Sequence, residues 1–213
     1  MRTLAELVHT DDTGAVEVRR LLAGAVNPVE VIRGDRARGE RSLVRVQADT
    51  STPLGAVAYR LGGLVFDHGW LRVLGSGSAR HARDLDEWNG PAATPRLPGA
   101  TLVADDVVGG FFAVDGGAFA GAAGGVHYFA PDTLAWEDLE IDYRGLLEWG
   151  CNGDLDAFYA DSRWPGWEVE VMGVRVDQGL DLDPPLSVEA DARARRKRVP
   201  IEALWQLAAQ AAR

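Results

Sequence analysis

The block 101–149, TLVADDVVGGFFAVDGGAFAGAAGGVHYFAPDTLAWEDLEIDYRGLLEW, constrains the fold more than any other part of the chain. Apolar runs at 101–105, 109–114 and 126–130 are punctuated by glycine pairs and aspartates. Runs this short, bounded by residues that accept turn geometry, read as antiparallel strands joined by tight connections. A carboxylate-dense stretch follows and reads as an acidic loop. Tyr143, Leu146 and Leu147 then share one side of a short helix, and Leu155, Phe158 and Tyr159 define another, begun at Asn152 or Asp154.

The rest of the chain supplies covering elements. Thr3 and Glu6 have capping-box spacing, with Leu4, Leu7 and Val8 expected to face inward. Val18, Leu21, Leu22 and Ala25 recur at i, i+3, i+4, i+7, which predicts a helix near 14–26 that Asn27-Pro28 ends. Residues 29–33 alternate like a strand. Residues 34–41 read as a charged surface turn or helix, and 42–47 as a second alternating strand. Residues 54–74 read as a three-stranded meander, with Val57, Tyr59 and Leu61 on one face and Gly62-Gly63 as a hairpin turn. Residues 75–100 form a long loop-rich excursion. The run 192–198, ARARRKR, reads as a solvated basic stretch. Pro200 suits the first turn of a helix carrying Ile201, Leu204, Trp205 and Ala208 inward.

These elements predict an α+β fold in a single domain, 1–213. A twisted antiparallel sheet, about 54–142, is covered by N-terminal, central and C-terminal helices at 3–26, 143–160 and 200–212. At 213 residues and 46% hydrophobic, the chain can bury a sizeable core without a crosslink. The one cysteine, Cys151, excludes an intramolecular disulfide and points to a reducing, cytoplasmic compartment. No apolar run near the N-terminus suits a signal peptide, and none approaches the ~20 residues of a membrane span.

Charge is the main functional clue. The net charge is −10, and the acidity sits in residues 101–190, where 18 Asp/Glu stand against three arginines. Such a field repels nucleic acid and attracts basic partners. Asp105, Asp106, Asp115, Asp132, Glu137 and Asp138, with Trp136, are therefore candidate partner-binding residues. Trp164 and Trp167, across Pro165-Gly166, are candidate anchors, although core packing is the readier explanation for them.

Catalytic signals are weak. Gly75-Ser-Gly77-Ser lacks the lysine of a phosphate loop, and no GxSxG elbow occurs. Four histidines, His9, His68, His81 and His127, have no partner at i+4, and with one cysteine a zinc site is not expected. His127 is expected to point away from the core, and Cys151 to be a small buried thiol. The acidic residues lack calcium-loop spacing, so neither a metal nor another cofactor is expected. Asp67-His68, with Asp105 and Asp106, forms a weak alternative acid/base set that requires convergence of the four groups.

The runs STPLGAVAYRLGGLVFDHGWLRVLGSG, VADDVVGGFFAVDGGAF, VHYFAPDTLAWEDL and DLDAFYADSRWPGWEVEV resemble the signature runs of DUF2625, a bacterial domain-of-unknown-function family. The likeness covers nearly the whole chain and implies no activity. A pattern of strands at 102–106, 110–115 and 126–129, with a helix at 143–149, also resembles SUKH proteins, many of which neutralise toxins. That likeness implies an immunity-like protein binding a basic, toxin-like partner. The alternatives are a carboxylate/histidine enzyme and a scaffold without activity.

Overall fold

The computed structural model describes residues 1–79, 81, 83–188 and 194–211. Seven strands form one sheet: β1 (Val29–Arg33), β2 (Leu61–Phe66), β3 (Leu71–Leu74), β4 (Ala100–Asp106), β5 (Phe111–Asp115), β6 (Gly125–Ala130) and β7 (Ala135–Asp142). Spatial order equals chain order, and every neighbouring pair is antiparallel. A second sheet pairs β8 (Gln178–Asp183) with β9 (Arg195–Pro200). The helices are α1 (Leu4–Leu7), α2 (Thr13–Ala23), α3 (Arg36–Val46), α4 (Pro53–Arg60), α5 (Leu85–Asn89), α6 (Tyr143–Asn152), α7 (Leu155–Phe158), α8 (Trp167–Val171) and α9 (Ile201–Ala211). An α+β fold with an antiparallel sheet and helices from all three regions is what the sequence predicts.

Five local expectations are corrected. Residues 42–47 belong to α3, which Asp35 starts by accepting the Arg38 amide at 2.9 Å. Residues 54–60 belong to α4, with Pro53 in the first turn and Thr52 accepting the Gly55 amide. Short apolar runs carry no decisive period, so the cap and the proline decide for helix. Gly62-Gly63 consequently lies inside β2 rather than in a turn. The expected acidic loop instead contains β7, in which Trp136, Leu139 and Ile141 are half-buried between exposed residues. Residues 195–198 of the basic run belong to β9, Ala194 precedes it, and 192–193 lie outside the described residues. Asp181 faces Lys197 and Asp183 faces Arg195 across β8 and β9, so opposite charges favour that pairing while Leu180 and Leu182 bury its inner face.

The register separates the two faces of the main sheet. Phe66, Phe112 and Tyr128 lie on one face, which α6 and α7 cover. A Cβ on Gly150 would approach the Phe66 ring to 3.2 Å, so α6 sits almost directly on the strand. Phe111 lies on the other face, stacked on Trp88 of α5 and edge-on to Trp205 of α9. Central strands are buried on both faces, as a sheet between two layers requires. Two smaller expectations also change. Val8 is exposed, while Leu7 is fully buried. His127 is buried and stacked on Phe119 at 4.2 Å, because both faces of β6 are covered.

A satellite cluster forms around Trp70, fully buried between Tyr159, Trp164 and Trp167 at centroid distances of 5.4, 5.8 and 5.1 Å. The second sheet joins the main one where Leu180 donates its amide to the Val107 carbonyl at 2.6 Å.

Candidate functional site

The carboxylates singled out by the sequence divide into buried and exposed sets. Asp105 and Asp106 are neighbours on β4, so their side chains leave on opposite faces. Asp105 is fully buried between two arginines. Arg72, directly across on β3, reaches it at 2.6 Å, and Arg83 reaches it from the loop before α5. Arg72 also donates to the carbonyls of Gln178 and Asp106. Arg83 lies 4.8 Å over the Trp88 ring. Burial pulls the Arg83 guanidinium below its usual range, and Asp105 opposes that shift.

Asp106 accepts the amides of Val108 and Gly110 at 3.0 and 2.8 Å and the Tyr128 hydroxyl at 2.7 Å. It thereby builds the β4–β5 turn from inside. Burial holds its carboxyl above the ordinary range despite these bonds. Asp115 accepts the amides of Gly117, Ala118 and Phe119, which hold its carboxyl low, the Gly117 bond first. These three aspartates contribute nothing to a solvent-facing surface.

Asp132, Glu137 and Asp138 are exposed, and Trp136 is half-buried against Phe119 and Phe129. With Glu140, Asp142, Glu148, Asp154, Asp156 and Asp161 they form a run of exposed carboxylates along β7, α6 and α7. Arg144 is the one exposed base in that stretch, and it is bound to Glu17 and Glu148. Some of these groups also serve local structure: Asp142 caps α6 and Asp154 caps α7. β7 is an edge strand, so its outer backbone edge has no strand beside it among the described residues.

Trp164 and Trp167 are 5% and 8% exposed and pack on Trp70, so they stand inside the satellite cluster. Asp67 is bound to Arg163, whose guanidinium lies 3.9 Å over Trp167. Asp67 and His68 both have positive φ, 50° and 58°, and form the tight link from β2 to β3. His68 is exposed at its edge. Asp67, His68, Asp105 and Asp106 therefore do not converge, and the acid/base set has no common site. Among the described residues, no three of His, Cys, Asp or Glu gather in a metal-holding arrangement.

A feature the sequence did not reveal is a cleft of about 550 Å³ between β1–β3 and the segment after α8. Arg72 forms its floor; His68, His81, Arg175 and Asp177 stand around it, with valines from β1, β2 and 171–176 as walls. Its residues come from four separate stretches of chain, 28–30, 65–72, 81 and 171–177, so no local motif could announce it.

Fold and site together define an α+β protein with a meander sheet, a buried Arg–Asp–Arg cluster and an acidic edge strand. The chain belongs to the family described as "Protein of unknown function DUF2625", whose model matches residues 4–204. It is similar to the uncharacterised protein YbfG of Escherichia coli, 37% identical over 97% of this chain and 95% of that protein. It is also similar to an uncharacterised protein of Haemophilus influenzae, 35% identical over 97% and 93% respectively. No solved structure matches the chain. Among the described residues, no helix is long and apolar enough to cross a membrane.

Proposed function

We propose that this protein is a protein-binding module whose acidic β7 edge docks a basic partner. One observation carries the reading: nine exposed carboxylates between Asp132 and Asp161 face a single exposed base, Arg144, that is already paired. A field of that sign speeds encounter with a basic surface and rejects nucleic acid. Trp136, half-buried beside Glu137 and Asp138, supplies an apolar anchor at the centre of the charge. A toxin with a basic nuclease surface has the matching chemistry, which makes an immunity-like role the specific form of this proposal.

The test is affinity capture at low and high salt, with the wild type and a charge-reversed Asp132→Lys/Glu137→Lys/Asp138→Lys variant as baits. All three sites are exposed, so the variant is expected to fold. A basic protein held by the wild type at low salt, and lost both at high salt and by the variant, supports the proposal. Capture that ignores both salt and charge reversal, or no capture at all, refutes it.

A further inference from the structure

The buried cluster around Asp105 does not balance. Two guanidiniums share one carboxylate, and all three side chains are at least nine-tenths buried, with Arg72 3% exposed, Arg83 7% and Asp105 0%. The remaining partners of Arg72 are neutral carbonyls, and Arg83 rests on the face of Trp88. Nε of Arg72, and Nε and Nη1 of Arg83, find no hydrogen-bond partner among the described residues. An uncompensated buried charge with unfilled donors is costly to keep in a folded chain. Asp177 acts on Arg83 only in part, because it is half-exposed and Arg175 shares its carboxylate through Nε and Nη2, at 2.9 and 2.6 Å.

The excess charge lies under the cleft. Arg72 is part of the cleft lining, and it also lines, with His81 and Arg83, a separate cavity of about 20 Å³ that shares Val65 and Val176 with the cleft. His68, His81 and Arg175 add donors at the rim, where Glu30 and Asp177 are the acidic groups. The upper walls are apolar: Val29, Val65, Val171, Val174 and Val176. A cationic floor below valine walls, in a volume within the range of ligand pockets, suits a small molecule with an anionic head and a short apolar body.

We propose that this cleft binds a small organic oxyanion, a carboxylate or a phosphate, whose head lies on Arg72 with His81 beside it. Arg83, one layer deeper, supplies the charge that Asp105 cannot cancel for both arginines. Both Nη atoms of Arg72 are engaged, so its Nε is the donor left to meet either head group. The site lies apart from the acidic β7 edge and does not depend on the partner-binding proposal.

The test is a titration of the full-length protein, labelled with nitrogen-15, following the arginine Nε–Hε signals. The probes are inorganic phosphate, sodium hexanoate and, at matched ionic strength, sodium chloride. The expected result is a saturable shift of the Arg72 signal by phosphate or hexanoate, with Kd of about 1 mM or tighter. Saturation by hexanoate alone assigns an organic acid, and saturation by phosphate assigns a phosphorylated ligand. His81→Gln, at the rim and outside the buried cluster, is expected to weaken binding about threefold, the loss of one modest hydrogen bond. Arg83→Met removes the excess buried charge beneath the head and is expected to weaken binding by about tenfold. Equal shifts with chloride, no saturable shift with either probe, or unchanged affinity in a folded His81→Gln protein would overturn the proposal.

Discussion

Replacing Asp105 by Asn tests the buried cluster directly. The side chains are nearly isosteric, so packing against β3 and the loop before α5 is kept while the carboxylate that pairs with both arginines is removed. Arg72 and Arg83 would then face each other, 3% and 7% exposed, with no counter-charge between them. Removing one partner of a buried ion pair costs about 3–5 kcal/mol, because the remaining charge stays desolvated. Set against a total stability of about 5–15 kcal/mol, that loss is a large fraction. With a urea m-value of about 2–3 kcal/mol per molar, the midpoint should fall by about 1–2.5 M. Tryptophan fluorescence reads the transition, since Trp88 lies under Arg83. Adding Arg83→Met to the Asn variant removes one of the two opposed charges. The double variant should therefore recover part of the loss, with a coupling of about 1–3 kcal/mol. A midpoint within about 0.3 M of wild type, below what a buried pair implies, would refute the reasoning and place these charges in contact with water.

Three further outcomes are expected. Asp106 has its carboxyl raised by burial, so its contribution is fully present below the unfolded pKa of about 3.9 and is lost as pH rises through the folded value. Asp106→Asn, which can still accept the two turn amides, should therefore gain stability relative to wild type as pH rises. Urea midpoints at several pH values check this, and a variant that loses ground would contradict it. Cys151 is fully buried and its thiol is pushed up to about 11, so at pH 8 only about one thiol in a thousand is ionised. A thiol-specific chromogenic reagent should label it only when the protein unfolds. Gly39 sits where α3 crosses α4, and a Cβ there would fall 2.2 Å from the Tyr59 carbonyl oxygen. The clash outweighs the ~1 kcal/mol helical advantage of alanine, so Gly39→Ala should lower Tm by several degrees, about 2–4 °C for each net kcal/mol in a chain of this size.

Much of the fold is legible in the residues themselves. Strands β4, β5 and β6 show as apolar runs because glycines and aspartates punctuate them, and the aspartates prove to be the turn builders: Asp106 holds the amides of one connection and Asp115 those of the next. Helices α2, α6 and α9 show through their 3.6-residue spacing, since each buries one stripe. Where an element depends on its neighbours, the reading goes astray. β7 carries its apolar residues at Trp136, Leu139 and Ile141, spaced three and then two, so the period-two signal is broken and a dense run of carboxylates hides the rest. β9 is a strand because it pairs with β8, where Asp181 and Asp183 lie opposite Lys197 and Arg195, a relation no local window contains.

The exposed acidic run is likewise a property of sequence, since charge density needs no fold to be counted. Which carboxylates face water is decided in three dimensions. Asp105 and Asp106 are adjacent and chemically identical, yet the pleat sends one into two arginines and the other into a turn and a tyrosine. The cleft is wholly tertiary. Arg72, His68 and His81 become neighbours of Arg175 only because the segment after α8 returns to the β1–β3 side of the sheet. Local propensity and periodicity act over a few residues and so can be read along the chain. Ion pairing and cavities are set by contacts between residues distant in sequence, and these exist only once the sheet has closed its register.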